Sequence, residues 1–337
     1  MIQKGISLKG FNTFGFGIDA ALFGRITHTE AIEAIWKTTL IPSSHLLILG
    51  GGSNVVFAGN YPGLILKNEI MGKSIIQETD QHVLLRIGGG ENWHETVMWA
   101  VSNGWGGMEN LSLIPGTVGA APIQNIGAYG TELEQVFDHL EAFDLQEGKR
   151  VTFNHEQCLF GYRESIFKHK GKGRYFITHV ILRLDKNPTV NVKYGDIQAV
   201  LDGLGIANPS IQDVSNAVIQ IRRSKLPDPA TLGNCGSFFK NPVIEIQHFT
   251  ALQAQYPDIR SFPAAEGTVK VPAAWLIEKC GWKGFRRGDA GVHAKQALVL
   301  VNYGHASGPE IIGLAKEIQQ SVWDRFQVQL EMEVNVR

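Results

Sequence analysis

The sequence predicts a mixed fold, α/β or α+β, because short segments with helical and strand periodicity alternate irregularly along the chain. Two uncharged, glycine-rich segments, 46–57 and 111–130, lie between the predicted elements. A chain of 337 residues can bury a large core and is long enough for two or three domains. The sequence contains no internal repeat or low-complexity segment that would indicate a repeat architecture.

In the first half of the chain, short apolar runs predict strands and capping residues predict helices. The segment before Ala20 is rich in turns. Residues 27–30 have the pattern of a capping box, which predicts a helix after them. Asn92 predicts the cap of a second helix, and Asn103 predicts its end. Strands are predicted at 46–49, 55–57, 64–66 and 82–87.

The second half changes character at Asp228, where a less regular stretch rich in proline and glycine begins. Before it, periodicity predicts strands at 136–145 and 176–184 and a helix at 215–225. After it, helices are predicted at 272–280 and 309–326, with a strand at 297–301. Apolar and polar residues alternate from 328 to 336, which predicts a terminal strand.

The composition is that of an ordinary soluble globular protein, with 44% hydrophobic and 19% charged residues. A formal net charge of −1 lacks the basic excess of nucleic-acid binders. We expect no signal peptide and no transmembrane helix, because no apolar run is suitable. The three cysteines, Cys158, Cys235 and Cys280, fit neither a disulfide framework nor zinc-ligand spacing. We therefore expect a reduced, cytoplasmic protein.

Segment 111–130 contains four glycines and two prolines but no charged side chain. A solvated loop would be polar, and a regular core element would not tolerate so many glycines. The pattern predicts backbone that closely approaches a group other than protein, with N–H groups left to donate. A buried crossover between two layers of a domain is the alternative.

Segment 46–57 has the same character, with glycine at 50–52 after a predicted strand. It is not a P-loop, because Ser53 and Asn54 stand where lysine is required, and Val55 replaces the third glycine of a Rossmann motif. A turn of N–H donors beside two polar side chains suits a pyrophosphate bound without metal or lysine. We hypothesise that the two segments hold opposite ends of one long cofactor. A pair of tight strand connections is the alternative.

Few residues support other catalytic chemistry. Residues 155–156 begin like a zinc-protease motif, but Leu159 replaces the second histidine, and the chain has no serine-hydrolase elbow. Cys235 has no sequence neighbour that would lower its pKa, so we expect it to be inert. Ser237 lies between a glycine turn and two aromatic residues, which suits a dry site that orients a polar substrate. A serine that caps a turn is the alternative.

Two charged residues are further candidates. Arg163, beside Tyr162, presents a rigid fork that suits a carboxylate or phosphate, although most arginines are solvated. Glu333 lies on the polar side of the predicted terminal strand, where the sequence does not distinguish it from Glu331.

Eight short motifs, taken together, carry a resemblance to a known family. In order, they are NTF at 12–14, GGGSN at 50–54, LIPG at 113–116, PIQNIGAYG at 122–130, GYR at 161–163, KLPD at 225–228, GSFFKNP at 236–242 and EV at 333–334. With them, the chain closely resembles the type I UDP-N-acetylenolpyruvoylglucosamine reductases over nearly its whole length. These are bacterial flavoenzymes of peptidoglycan synthesis.

The resemblance implies an α+β chain with the vanillyl-alcohol-oxidase (PCMH) type of FAD-binding fold. Two α+β domains, 1–67 with 327–337 and 68–227, would bind FAD, and a smaller α/β domain, 228–326, would bind substrate. The resemblance implies reduction of UDP-N-acetylenolpyruvoylglucosamine to UDP-N-acetylmuramate by NADPH through FAD, a step that serves cell-wall biogenesis, cell shape and cell division. It also implies a monomer without metal, membrane or nucleic-acid partner. No histidine or cysteine lies in either glycine-rich segment, so FAD is predicted to be non-covalent.

The resemblance also assigns roles residue by residue. Ser237 would donate a proton, while Arg163 and Glu333 would stabilise charge on the substrate carboxylate. The implied FAD contacts lie in or beside the glycine-rich motifs and are Gly50, Gly51, Gly52, Ser53, Asn54, Val55, Pro115, Gly116, Thr117, Val118, Gly119, Asn125, Gly127, Ala128 and Tyr129. The implied substrate contacts match positions that hold phosphates, the sugar or the carboxylate and are Tyr162, Tyr194, Arg222, Lys225, Lys240, Asn241 and Gln296.

Segment 242–272 departs from the family pattern at one position. It corresponds to a loop that folds over the UDP moiety through a tyrosine, and Phe262 stands in that place. Either Tyr256 substitutes for it or closure is weaker, because a phenyl ring cannot hydrogen-bond a phosphate. Two competing interpretations are another FAD-dependent oxidase or dehydrogenase of the same fold and a non-catalytic nucleotide-sugar-binding protein.

Overall fold

The computed structural model describes residues 2–38 and 45–337. Within it the chain forms two compact units, each built from separate stretches of sequence. The first unit comprises residues 1–6, 20–51 and 62–224, and the second comprises 7–19, 52–61 and 225–337.

The strands are short, as the sequence predicts, and most are antiparallel to their neighbours. In chain order they are β1 (Ile2–Ser7), β2 (Asp19–Ile26), β3 (Leu46–Leu49), β4 (Val55–Val56), β5 (Tyr61–Asn68), β6 (Lys73–Glu78), β7 (His82–Gly88), β8 (Gly127–Ala128), β9 (Thr131–Glu132), β10 (Phe137–Asp144), β11 (Lys149–Asn154), β12 (Tyr175–Asp185), β13 (Gly233–Ser237), β14 (Val243–Glu245), β15 (Phe262–Pro263), β16 (Thr268–Lys270), β17 (Arg286–Arg287), β18 (Ala290–Val292), β19 (Val299–Asn302) and β20 (Asn335–Val336).

Helices connect many of these strands. In chain order the α-helices are α1 (Thr29–Thr38), α2 (Trp93–Ser102), α3 (His155–Cys158), α4 (Gly195–Gly203), α5 (Ile211–Lys225), α6 (Ile246–Gln255), α7 (Ala273–Lys279) and α8 (Gly308–Phe326). Short 3-10 helices occur at Lys9–Phe11, Glu109–Leu111, Val118–Gln124, Leu133–Gln135 and Ile166–Lys168.

The first unit is built on two larger sheets. An antiparallel sheet with the order β11-β10-β12-β7-β6 buries apolar side chains of β7, β10 and β12 against α2, whose Trp93 and Val97 are fully buried. A second sheet, β1-β2-β5-β3, includes the parallel pair β3 and β5 and packs with α1. Helices α4 and α5 share a smaller core around Val218. These layers support both glycine-rich segments.

The second unit has an antiparallel sheet, β13-β19-β18-β17, covered by α8 and α7. The predicted stripe of α8 is buried, with Ile311, Ala315, Ile318 and Val322 in the core. A small three-stranded sheet, β14-β16-β15, and the parallel pair β20 and β4 complete the unit. The strand that ends at Ser237 is therefore anchored on a buried sheet.

The structure confirms the predicted elements where periodicity is strong, including β3, β7, β10, β12, α2, α5, α7 and α8. It adds β1, β6 and β11, in which most residues are exposed. It also adds β2, α4 and α6. Helix α1 starts at Thr29, so the N-cap position is His28 and the predicted cap at 27 is one residue too early.

The terminal strand is only partly formed. Val328, Leu330 and Val334 are buried, as the alternation predicts, yet ladder pairing is limited to β20 and an isolated bridge between Phe239 and Met332. None of the helices within 2–38 and 45–337 is long and apolar enough to cross a membrane.

Candidate functional site

Residues 50–51 and 116–117 of the two glycine-rich segments lie against each other within the first unit. A Cβ added to Gly50 would lie 2.5 Å from Thr117 Oγ1, and one added to Gly51 would lie 2.9 Å from Gly116 Cα. Both distances are shorter than real Cβ contacts allow. The glycines are thus required partly by the mutual approach of the two turns. We call residues 50–51 and 115–119 together the cradle; the hypothesis that the two segments hold opposite ends of one cofactor stays a prediction.

Thr117 provides a polar group at this cradle. Its Oγ1 is buried and has no hydrogen-bond partner among the described residues. A buried hydroxyl without a partner is costly in a folded protein, so such a group commonly marks a ligand or water site. The turn therefore fits a polar ligand group beside Gly50.

Lys67 is a neighbour of the cradle that the sequence analysis missed. Its Nζ donates to the Gly50 carbonyl oxygen at 2.8 Å. Burial lowers the pKa of Lys67, with a smaller opposing effect from Glu69 and a smaller effect in the same direction from Arg25. The parallel register of β3 and β5 pairs Leu49 with Lys67, which carries the lysine to the start of the turn. The expectation of a turn without a nearby lysine was wrong.

Residues 52–55 belong to the second unit. Gly52 has φ +68°, and a Cβ there would collide with the Phe11 carbonyl oxygen. The Thr13 N–H donates to the Gly52 carbonyl oxygen at 3.1 Å. Val55 is buried and pairs with Asn335, while Ser53 and Asn54 are half-buried. These contacts therefore fix the backbone conformation at the end of the first glycine turn.

Backbone hydrogen bonds join segment 115–119 to residues 89–93. Trp93 N–H donates to the Gly116 carbonyl at 3.1 Å, and Val118 N–H donates to the Glu91 carbonyl at 2.9 Å. Gly119 N–H donates to the Gly89 carbonyl, also at 2.9 Å. These three backbone hydrogen bonds fix residues 116–119 against the stretch that leads into α2.

Asn125 anchors the next part of the segment. It is fully buried and has a left-handed φ of 42°. Its Nδ2 donates to Glu132, Glu134 and the Gly161 carbonyl, and its Oδ1 accepts from the Glu134 N–H. With its side chain used in this way, Asn125 is positioned to offer only backbone groups to a ligand.

Arg163 lies beside the same segment. Its Nη2 donates to the Gly127 carbonyl oxygen at 2.6 Å, and a Cβ on Gly127 would come within 2.9 Å of Nη1. Arg163 itself has φ 56°, and its carbonyl accepts from Lys168 Nζ at 2.9 Å. Left-handed backbone is uncommon for arginine, and such strain often occurs at functional sites. The guanidinium is therefore held against 122–130.

Tyr129 and Arg222 form a second polar group in the first unit. Burial lowers the pKa of Arg222, and the nearby charge of Arg163 lowers it further. The interaction with Tyr129 acts in the opposite direction and raises it. Burial also raises the pKa of the Tyr129 phenol, whereas the positive charge of Arg222 lowers it. Tyr194 packs edge-on against Tyr129 with ring centroids 5.4 Å apart. Two arginines and a phenol therefore make this part of the unit electropositive.

Ser237 and Glu333 lie close together in the second unit. Ser237 is exposed at the end of β13, where a bulge interrupts pairing with β19, and Gly236 has φ +74°. The Glu333 N–H donates to the carbonyl of Phe238, the next residue, at 2.9 Å. Burial raises the pKa of the Cys235 thiol well above its usual range, and the nearby Glu333 carboxylate adds to this. These contacts favour an inert Cys235 and bring Glu333 beside the predicted proton donor.

The structure distinguishes the two glutamates. Glu331 has a side chain that is 71% exposed and forms an ion pair with Lys240 at 2.8 Å. Glu333 is half-buried. Lys240 is therefore paired with Glu331, whereas the main chain of Glu333 is bonded to Phe238, the residue after Ser237.

The other predicted substrate residues have structural contacts of their own. Asn241 Oδ1 accepts from the Ala273 N–H at the start of α7, at 2.9 Å. Gln296 Oε1 accepts from the Leu298 N–H at 3.3 Å. Tyr162 is 36% exposed, and Arg163 lies over its ring. Lys225 ends α5 and is exposed.

Tyr256 and Phe262 differ in their freedom to cover a ligand. Tyr256 packs edge-on against Trp275 and Phe326, and Arg325 Nε lies 3.4 Å from its hydroxyl. Phe262 lies on β15 and is 41% exposed. Tyr256 is therefore part of the core, which leaves Phe262 as the exposed aromatic residue of this stretch.

The structure does not support metal chemistry at residues 155–156. His155 is exposed, with its ring against Phe160 and Nε2 3.8 Å from a Glu134 carboxylate oxygen. Within the described ranges, no three side chains of histidine, cysteine, aspartate or glutamate are grouped to hold a metal ion.

The predicted site residues thus divide between the two units. The first unit brings together the glycines at 50, 51 and 116, Thr117, the 125–129 stretch, Arg163, Tyr194 and Arg222. The second contains residues 52–55 and Ser237, Lys240, Asn241, Gln296 and Glu333.

Comparisons with known proteins extend over the whole chain. A family model described as UDP-N-acetylenolpyruvoylglucosamine reductase, C-terminal domain, matches residues 228–337, and one described as FAD binding domain matches residues 20–154. A UDP-N-acetylenolpyruvoylglucosamine reductase of Flavobacterium johnsoniae is 47% identical over 336 residues, covering 99% of each chain. A protein of the same name from Burkholderia mallei is 50% identical over 329 residues, covering 97% of this chain and 95% of its own.

A solved structure gives a further likeness. UDP-N-acetylenolpyruvylglucosamine reductase from Thermus caldophilus matches with a TM-score of 0.69 and 22% identity, covering 100% of this chain and 99% of that one. At this level of identity, the likeness concerns the fold.

Proposed function

Because the chain belongs to the UDP-N-acetylenolpyruvoylglucosamine reductase family, we propose that it reduces UDP-N-acetylenolpyruvoylglucosamine to UDP-N-acetylmuramate with NADPH. The chain is an FAD-containing oxidoreductase with the predicted α+β, FAD-binding fold. The observation that carries the proposal is the identity of 47% and 50% to reductases over at least 97% of this chain. Another oxidase of this fold, or a non-catalytic binding protein, would not account for that identity.

The residues of the two glycine turns fit FAD. Thr117 offers a buried hydroxyl without a protein partner in the described part of the chain, and neither turn has an acidic side chain to repel a pyrophosphate. Lys67 adds a positive charge beside Gly50. Because Val118 and Gly119 donate their N–H groups to protein carbonyls, it is the charge of Lys67 that favours a bound phosphate group. We propose non-covalent FAD contacts at residues 50–55, 115–119, 125 and 127–129.

The chemistry needs a proton after the hydride. When bound, FAD would accept a hydride from NADPH and pass it to the terminal vinyl carbon of the enolpyruvyl group. Negative charge then moves toward the substrate carboxylate, and the neighbouring carbon requires a proton. Ser237 would donate this proton from Oγ. A serine is a weak acid in water, so the substrate must exclude water from the exposed hydroxyl before transfer.

Arg163 and Glu333 would stabilise the charge that develops on the carboxylate. A guanidinium suits a carboxylate because its planar fork can make two parallel hydrogen bonds. The contact of Arg163 with Gly127 fixes that fork in advance. Glu333 would keep the donors around Ser237 in place, which its hydrogen bond to Phe238 supports. Pre-organised charges of this kind cost little reorganisation during the reaction.

The substrate would be held through its phosphates, sugar and carboxylate. We propose contacts at Tyr162, Tyr194, Arg222, Lys225, Lys240, Asn241 and Gln296. The division into 1–67 with 327–337, 68–227 and 228–326 is our proposal for the FAD-binding and substrate-binding parts. We further propose that one copy of the chain is catalytically complete and acts in the cytoplasm in peptidoglycan precursor synthesis. The free cysteines Cys158, Cys235 and Cys280 agree with a reducing compartment.

An absorbance experiment tests the function. The purified protein should be yellow, should lose its flavin absorbance when NADPH is added without oxygen, and should regain it with UDP-N-acetylenolpyruvoylglucosamine. A colourless protein would favour a binding protein without redox activity. Reoxidation by oxygen and reduction by an alcohol, with no response to the enolpyruvyl substrate, would favour an oxidase of the same fold.

A further inference from the structure

Leu113 has a backbone conformation that leucine rarely adopts. Its φ is 59°, in the left-handed region, where a side chain with a Cβ is strained. Leu113 lies two residues before Pro115 and therefore directs the chain into the turn at Gly116. A strained residue of this kind persists only when its surroundings fix it.

Side chains from two helices hold Leu113 from both sides. The Leu113 N–H donates to His94 Nδ1 of α2 at 3.0 Å. The Leu113 carbonyl oxygen accepts from Arg222 Nε of α5 at 3.2 Å. All three residues belong to the first unit. The peptide groups on each side of the strained residue are thus bound to side chains that come from elements distant in sequence.

The neighbouring residues are fixed as well, so the contact at Leu113 is part of a continuous support. Trp93 Nε1 donates to the Leu111 carbonyl at 3.0 Å, and the hydroxyls of Ser112 and Ser215 lie 2.8 Å apart. Each of these pairs again joins the segment to α2 or α5. Residues 111–113 are therefore a rigid entry to the turn at 115–119.

We infer that His94 is a positioning residue: in its neutral form it accepts the Leu113 N–H and, together with Arg222, fixes the turn that receives the cofactor. The proposed function enters this inference only in naming FAD as the occupant of the turn. His94 is outside every predicted set of catalytic, cofactor and substrate contacts. It acts on the cofactor only through Leu113.

The acceptor role requires a particular protonation state. Imidazolium carries N–H groups on both ring nitrogens and has no acceptor, so protonation removes the partner of the Leu113 N–H. Burial lowers the pKa of His94 below its usual 6.5, and Arg223 and Arg222 of α5 lower it further, whereas Glu95 of α2 acts in the opposite direction. The neutral form is therefore favoured near neutral pH, and acid should release the contact.

The sign of the pH effect follows from this shift. The folded protein holds the His94 proton more weakly than the unfolded chain, so the unfolded chain binds more protons between the lowered pKa and 6.5. The contact is fully formed above 6.5 and is lost as the pH falls through the lowered value. Affinity for FAD should fall over the same range.

Two substitutions at His94 separate positioning from general packing. His94→Asn retains an acceptor near the place of Nδ1 but does not titrate, whereas His94→Leu removes the acceptor. FAD dissociation constants, measured by the recovery of flavin fluorescence on release, should rise about tenfold in His94→Leu at pH 8. In His94→Asn the constant should stay near the wild-type value and should not rise between pH 7 and pH 5. The wild-type constant should rise over that range.

His179 provides a matched control. Burial and Arg86 lower its pKa, whereas Glu141 raises it. Its Nδ1 lies beside Arg86 and Glu141 on the sheet of β12, and it is not the acceptor of the Leu113 N–H. His179→Asn should keep the wild-type pH profile of FAD binding. If His94→Leu and His94→Asn bind FAD equally well at every pH, or if His94→Asn loses FAD in acid as the wild type does, the inference is wrong.

Amide hydrogen exchange tests the contact without the cofactor. In the FAD-free protein, exchange at the Leu113 N–H, corrected for its intrinsic pH dependence, should be faster in His94→Leu than in His94→Asn or wild type. This result is independent of the reductase activity. A colourless, inactive wild type would contradict the proposed function, whereas equal Leu113 protection in all variants would contradict only the role of His94.

Discussion

Gly51 and Gly116 pack backbone against backbone: a Cβ on Gly51 would lie 2.9 Å from the Gly116 Cα. The turn after β3 and the turn after residue 115 therefore form one structure. Neither backbone can move aside easily, since β3 is paired with β5 and Gly116 accepts from the Trp93 N–H. The FAD contacts proposed at residues 50–51 and 115–119 depend on this contact.

Gly51→Ala should separate the two turns and weaken FAD binding by about tenfold or more, because a methyl group there forces a backbone shift. Titration of the FAD-free variant with FAD, followed by flavin fluorescence quenching, measures the change. Gly59→Ala is the control, since a Cβ at exposed Gly59 meets nothing within 4 Å. Equal affinity of the two variants would show that the Gly51 contact does not shape the site.

Phe262→Tyr should strengthen binding of the UDP substrate. Phe262 is exposed on β15, and the added hydroxyl can donate to a phosphate, which a phenyl ring cannot. We expect KM for the enolpyruvyl substrate to fall about threefold to tenfold with little change in kcat. Tyr256→Phe is the comparison, because Tyr256 packs between Trp275 and Phe326. A rise in KM on that substitution, with no effect at Phe262, would reverse the assignment.

Glu333→Gln should slow flavin reoxidation by substrate about a hundredfold and leave flavin reduction by NADPH nearly unchanged. The Glu333 N–H donates to the carbonyl of Phe238, the residue that follows Ser237, and the proposed role of its carboxylate is confined to the step in which the substrate is reduced. Glu331→Gln, which removes the ion pair between an exposed carboxylate and the largely buried Lys240 ammonium, should leave flavin reduction nearly unchanged and slow reoxidation far less than Glu333→Gln does. Rapid-mixing absorbance separates the two steps. The reverse ranking of the two variants would identify Glu331 as the functional carboxylate.

Asp144 should make the first unit sensitive to acid. Its side chain is 2% exposed. Burial alone would raise its pKa, but hydrogen bonds from Arg174 and from the N–H groups of Gln146 and Glu147 lower it overall. The stabilising charge is therefore present above the usual value of 3.8 and is lost as the pH falls through the lowered one.

Asp144→Asn should accordingly reduce stability at pH 7 by about 2 kcal/mol. Urea unfolding at several pH values measures the free energy of unfolding. The difference in this free energy between Asp144→Asn and wild type should become smaller only below about pH 4. Asp258→Asn, at an exposed pair with Lys279, should have little effect. If Asp144→Asn lowered the free energy of unfolding equally at pH 3 and pH 7, the stabilising role of the Asp144 charge would be contradicted.

The sequence predicts the buried elements and the chemical character of the site, since periodicity and glycine content are local properties. It cannot predict contacts that depend on register between distant strands. Lys67 reaches Gly50 only because β3 and β5 are parallel and pair Leu49 with Lys67. The contact between the two glycine turns is hidden for the same reason, because it joins residues more than sixty positions apart.

Other features were hidden because the residue type does not indicate them. Leucine gives no sign of a left-handed backbone, so neither Leu113 nor its partner His94 was marked as functional. Glu331 and Glu333 share a face in an ideal strand, and only the pairing of Met332 with Phe239 shows that Glu331 lies beside Lys240 and Glu333 beside Phe238. The backbone conformation of Leu113 and the neighbours of the two glutamates depend on tertiary packing, which the alternation of apolar and polar residues does not predict.

Ser237→Ala removes the proposed proton donor, and exposed Ser74→Ala is the control. In anaerobic rapid mixing, NADPH should reduce the flavin of Ser237→Ala at nearly the wild-type rate. Reoxidation by UDP-N-acetylenolpyruvoylglucosamine should be slower by about a thousandfold or more, because the proton donor is gone. An equal loss in both steps, or reoxidation at the wild-type rate, would contradict the role of Ser237 as the proton donor.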